Sequence, residues 1–115
     1  MSKFDQYSEP QLLEIAEHYM NALMQASTDK DYLKHIQHFS KRLKILLDES
    51  RFYAVVNQYH QEKGLFKDRT FVASFKRPDS FAVVWRQTFS KTKGDYVAEL
   101  VLIQEDGNLV VDHVM

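Results

Sequence analysis

Hydrophobic spacing divides the chain into two halves. Residues 8 to 63 repeat apolar side chains at helical intervals, whereas residues 65 to 115 alternate apolar and polar positions as strands do. The first helix is expected to open at Ser8, which can cap free amides ahead of Glu9 and Pro10. Leu12, Ile15, Ala16, Tyr19 and Leu23 share one face, Leu13, Met20 and Met24 widen it, and the helix should end near Ser27. Tyr32, Leu33, Ile36, Phe39, Leu43 and Leu46 form a second apolar stripe, with Lys30, Lys34, Lys41, Arg42 and Lys44 mostly off it. The pattern restarts near residues 48–50 as Phe52, Val55, Val56 and Tyr59, and Lys63-Gly64 is a helix stop. No strand is expected between the helices.

After Gly64, Phe71, Ala73 and Phe75 alternate with Thr70, Val72 and Ser74. Residues 77–80 read as a turn, Phe81 to Phe89 as the second strand, and residues 91–94 as a hairpin loop. Tyr96 to Gln104 is the third strand, Asp106-Gly107 a tight turn, and Leu109 to Met115 the last strand. The predicted fold is α+β: N-terminal helices packed on a curved four-stranded antiparallel meander, one domain over residues 1–115.

Hairpin geometry then assigns faces. With Glu105 opposite Asn108, Val111 lies opposite Leu102, Asp112 opposite Val101 and His113 opposite Leu100; with Lys91 opposite Gly94, Trp85 lies opposite Leu100 and Arg86 opposite Glu99. One face collects Phe81, Val83, Trp85, Gln87, Phe89, Tyr96 and His113, the other Val84, Arg86, Glu99, Val101, Ile103 and Asp112. Both faces are largely apolar. Helices can cover one, and a second copy of the chain is the simplest cover for the other. A homodimer is therefore expected, packed sheet to sheet, with Arg86, Glu99 and Asp112 near its interface.

Composition narrows the function classes. The chain has 115 residues, enough for one core without staples. Fifteen basic and 16 acidic residues give a net charge of -1, so no overall field recruits nucleic acid or an anionic membrane. The basic tips at Lys76, Arg77, Lys91 and Lys93 read as solubilising. No cysteine is present, which removes disulfides, thiolate metal sites and a thiol nucleophile. The N-terminus lacks a charged segment followed by an apolar run, and no run is long enough to span a bilayer, so a cytoplasmic location is expected.

A resemblance adds to this reading. The amphipathic first helix with Tyr19, the segment Gly64-Leu65-Phe66-Lys67-Asp68-Arg69 entering the first long strand, and the strand–acidic-Gly turn–strand ending at Val101 to Val111 resemble the nuclear transport factor 2-like superfamily. That group of cystatin-like rolls includes ketosteroid isomerases and SnoaL-like proteins. The resemblance implies a conical pocket between a curved sheet and the helices, and it transfers no catalytic residue to this chain.

The pocket candidates are Tyr19, Phe71, Trp85, Gln87 and His113. A neutral imidazole at His113 could serve as acid or base, and Trp85 as core or pocket wall. His35 and His38, spaced i and i+3, read as surface histidines, because no third ligand completes a metal set. No glycine-rich phosphate loop, nucleophile elbow or dinucleotide fingerprint occurs, so no cofactor and no metal are expected. The expected role is a non-catalytic module that binds a small hydrophobic ligand or a protein partner. The alternative is a ketosteroid-isomerase-like enzyme using His113, Asp112, His18 or Tyr19 for acid-base chemistry.

Overall fold

The computed structural model describes Phe4 and residues 6–115. Helix α1 (Glu9–Thr28) starts at a reciprocal cap. Ser8 Oγ accepts from the Gln11 amide, while Gln11 Oε1 accepts from the Ser8 amide at 2.8 Å. Three further helices follow: α2 (Tyr32–Ile36), α3 (Lys41–Leu46) and α4 (Glu49–Glu62). Each begins at a short polar cap, supplied in turn by the side chains of Asp31, Ser40 and Asp48.

The expected second helical stripe is thus cut in two at residues 38–40. There the backbone bonds to the last strand instead: Val111 N–H donates to the His38 carbonyl (2.7 Å) and Ser40 N–H to the Val111 carbonyl (2.8 Å). Phe39 forms a parallel bridge with Val111. This contact pairs part of a sheet edge that would otherwise stay open. Leu33 and Leu46, read from their spacing as part of a buried stripe, are 74% and 49% exposed once the helix is interrupted.

The sheet is an open antiparallel meander in the order β1-β2-β3-β4, with β1 (Phe66–Lys76), β2 (Phe81–Phe89), β3 (Tyr96–Glu105) and β4 (Asn108–Val114). The α+β meander expected from the alternation is present. Its registers differ in two instructive ways. Trp85 pairs with Ala98 and Val83 with Leu100, a slip of two from the expected alignment, so every side chain of β2 keeps its predicted face. Between β3 and β4, Leu102 pairs with Val111 as expected, but Val101 pairs with His113 and Leu100 with Val114. Asp112 is the extra residue of a bulge, and it turns His113 to the outer face.

A second bulge, at Val72, lies between the Phe71–Trp85 and Ala73–Val84 pairs. It leaves Phe71 on the helix side with Trp85 and sends Ala73 and Phe75 outward. The core fills the space between α1 and the inner sheet face: Leu12, Ala16 and Met20 meet Phe81, Val83, Trp85, Leu100, Leu102 and Val111. No helix among the described residues is long and apolar enough to cross a membrane.

Candidate functional site

Helices α1 and α4 do not close completely over the inner sheet face. A cavity of about 490 Å³ remains there, within the ~300–1,000 Å³ usual for small-ligand sites. From α1 it takes Met20, Leu23 and Met24, successive members of the predicted apolar stripe. From α4 it takes Val55, Val56 and Tyr59, whose spacing holds them along one side of the helix, and from its C-cap Lys63. The strands contribute Phe66, Gln87, Phe89, Tyr96, Ala98 and Val114. Val97 and Met115 also line it and are 60% and 59% exposed.

Polar groups in this lining are few. Gln87 is 1% exposed; its Nε2 donates to the Thr88 carbonyl at 2.8 Å, and its Oε1 is buried without a partner. His35 reaches the cavity from α2, its ring 4.8 Å from Phe52 and 5.3 Å from Phe39, and its Nδ1 is also buried without a partner. Burial lowers the His35 pKa from 6.5 to about 4, so the ring is neutral at pH 7. Surface histidines were expected here. The interruption of the helix after Ile36 instead packs His35 against α4.

Lys63 is the one cationic side chain of the lining among the described residues. It caps α4, where its N–H donates to the Tyr59 carbonyl. Its ammonium sits 4.5 Å from the Tyr59 ring centre, 4.6 Å from that of Tyr96 and 5.4 Å from that of Phe89. Phe66 joins these rings, its centre 5.3 Å from that of Phe89. No described Asp or Glu lines the cavity.

Of the five pocket candidates read from sequence, the structure brings Gln87 to this cavity. Trp85 lies in the core, 1% exposed, and its Nε1 donates to Glu17 Oε2 at 2.8 Å. Arg69 bridges the same Glu17 carboxylate at 2.7 Å and lies 5.3 Å from the Trp85 ring, tying α1 to β1 and β2. Tyr19 stands toward the other end of the sheet, donating to the Leu109 carbonyl at 2.9 Å and stacking on His38 with ring centres 4.4 Å apart. Burial raises the Tyr19 pKa, with Tyr7 adding to the shift. Burial lowers the pKa of His38, and His18 lowers it further. Phe71 is 44% exposed on the edge strand. His113 faces outward, and Val114 occupies the inner position expected for it.

Arg86, Glu99 and Asp112 do not form the expected cluster. Arg86 pairs with Asp95 at 3.6 Å, both 60% exposed. The two-residue slip places Val84, rather than Arg86, opposite Glu99. Asp112 turns away to α3, accepting from Ser40 Oγ at 2.7 Å and Arg42 Nε at 3.1 Å. The residues that matter most at the cavity, Lys63, Tyr59, Phe66, Phe89 and Tyr96, were read from sequence as a helix stop, core positions and strand members. Lys63 four residues after Tyr59 on a helix was the available signal.

The sequence matches no family model and no curated protein. Solved structures do resemble the fold. A SEC-C-motif-containing protein from Rhodopseudomonas palustris superposes with a TM-score of 0.62 at 13% identity, over 84% of this chain and 74% of that one. A proposed NTF2-like transpeptidase from Campylobacter jejuni superposes with a TM-score of 0.56 at 16% identity, over 92% of this chain and 99% of that one. At these identities the likeness is one of fold, and an α+β arrangement of helices on an antiparallel sheet is what the chain shares with both.

Proposed function

We propose that this chain is a small ligand-binding module of the nuclear transport factor 2-like kind, holding an apolar molecule between α1, α4 and the sheet. The observation that carries this reading is the cavity of about 490 Å³, lined mainly by methionine, aliphatic and aromatic side chains. A void of that size and lining is stabilised when an apolar molecule replaces poorly hydrated space. The Campylobacter neighbour covers nearly the whole fold, and its NTF2-like description agrees with the reading. Proton transfer on a hydrophobic substrate ranks second, because no described carboxylate lines the cavity and burial, which lowers the His35 pKa to about 4, leaves that ring a weak base.

The test is titration with N-phenylnaphthylamine, a neutral dye that brightens in apolar surroundings. Wild-type protein should give a saturable rise near one dye per chain. Ala98→Phe, which fills the cavity, should abolish the rise while the variant still melts cooperatively. A wild-type protein that leaves the dye dark would remove the binding reading.

A further inference from the structure

We infer that the ligand is an apolar carboxylate, with its chain in the cavity and its anionic head against the Lys63 ammonium; this rests on the binding role proposed above. Three observations lead to it. First, the only charged side chain in the described lining is that of Lys63, and no Asp or Glu side chain faces it there. Second, no described carboxylate forms an ion pair with Lys63; the ion pairs present involve Lys41, Arg42, Arg69 and Arg86. A partly enclosed cation without a counter-ion is a site of positive potential, strengthened by the low-dielectric wall around it. Third, the ammonium is held by Tyr59, Tyr96 and Phe89, with centroid distances of 4.5, 4.6 and 5.4 Å.

Those rings do two things for a ligand. They keep the long lysine side chain in one place before binding, which reduces the ordering entropy that complex formation costs. They also leave the N–H donors of the ammonium available, because a ring face engages its charge without accepting a conventional hydrogen bond. A carboxylate oxygen supplies both acceptor and counter-charge. The rest of the molecule is mainly apolar, since Met20, Leu23, Met24, Val56 and Ala98 offer no hydrogen bond to it and the polar atoms of the lining are few, Gln87 Oε1 and His35 Nδ1 among them. A neutral long-chain alcohol would fill the same space and leave Lys63 without its counter-ion. An alkylammonium would have to displace Lys63 from the rings.

Three dansylated probes of matched chain length separate these cases: undecanoic acid, undecanol and an undecylammonium. Binding is read by dansyl fluorescence at pH 7.5 and low salt, with wild type and with Lys63→Met, which keeps an unbranched side chain. The acid should bind wild type about tenfold or more tightly than the alcohol. Lys63→Met should erase that difference and leave alcohol binding within about twofold. Rising salt should weaken only the acid on wild type. Equal binding of acid and alcohol, unaffected by Lys63→Met, would overturn the head-group assignment and leave the apolar cavity standing. Tightest binding by the ammonium, strengthened in Lys63→Met, would overturn it in favour of a cation-binding ring cluster. Failure of all three probes to bind wild type would remove the binding role itself.

Discussion

His35 shows how a single side chain changes meaning with its surroundings. In the sequence it neighbours lysines and reads as solvent-exposed; in the fold its ring packs against Phe39 and Phe52 with Nδ1 unpartnered. Its folded pKa, lowered to about 4, lies below the unfolded value of 6.5. The unfolded chain therefore takes up the proton first as pH falls. His35 gives its full contribution above pH 6.5 and loses it progressively down to about pH 4, below which both states are protonated. At ~1.36 kcal/mol per pKa unit the loss is of the order of a few kcal/mol. Urea midpoints compared at pH 7 and pH 4.5 should show it, and His35→Phe should reduce the drop. An undiminished drop in that variant would assign the acid sensitivity elsewhere. Nothing in the local sequence distinguishes His35 from His38; of its two partner rings, Phe52 lies on a helix that begins at Glu49.

At the scale of elements, short-range signals were informative and long-range alignment was not. Ser8 caps α1 as its position predicts, and Asp106 and Gly107 adopt φ of 52° and 82°, the left-handed pair a tight hairpin turn needs. Ser40 is a cap equally readable in the sequence, yet an uninterrupted apolar stripe across it suggested one helix. Pairing of residues 38–40 with Val111 decides against that helix, and this partner lies 71 residues beyond Ser40 in the chain. The bulges at Val72 and Asp112 likewise carry no local signature. The second follows from a tertiary contact, the Asp112 carboxylate held by Ser40 and Arg42 of the α3 segment.

The α4–β1 junction offers a test at this scale. Gly64 has φ of 82°, and a Cβ there would stand 2.2 Å from Ser90 Oγ and 2.8 Å from Lys91 Cγ. Gly64→Ala should cost more than the ~1 kcal/mol expected of a left-handed position alone. Gly94→Ala, at φ of 98° in open space, should show only the backbone strain. Chemical denaturation of the two variants should rank them in that order, and equal losses would exclude the close approach to the loop after β2 as a factor.

For the molecule as a whole, the outer sheet face raises the question of assembly. Val84, Val101, Ile103 and Val110 face away from the helices, joined by Phe75 and Val97 at 54% and 60% exposure. Burial of such a face against its own copy is the cover we propose, since an isologous contact needs only one apolar patch. Arg86 and Glu99 would then lie beside that contact, while Asp112 is engaged with α3. In sedimentation velocity, wild-type protein should run as a dimer at micromolar concentration. Ile103→Glu should run as a monomer that still melts cooperatively. A wild-type monomer at every concentration would remove the dimer.

Sequence alone determined the order of elements, the α+β class, the inner-face residues of β2 and β3, and the caps and turns at Ser8, Lys63-Gly64 and Asp106-Gly107. Each of these rests on neighbours within a few positions or on the two-residue period of a strand, which survives a slip of two. Tertiary structure decided the break at residues 38–40, the face of His113, the burial of His35 and the gathering of Tyr59, Phe66, Phe89 and Tyr96 around Lys63. Those outcomes depend on which distant segments meet. A bulge of one residue, or a helix interrupted to pair a sheet edge, redirects side chains without leaving a pattern in the residues that move.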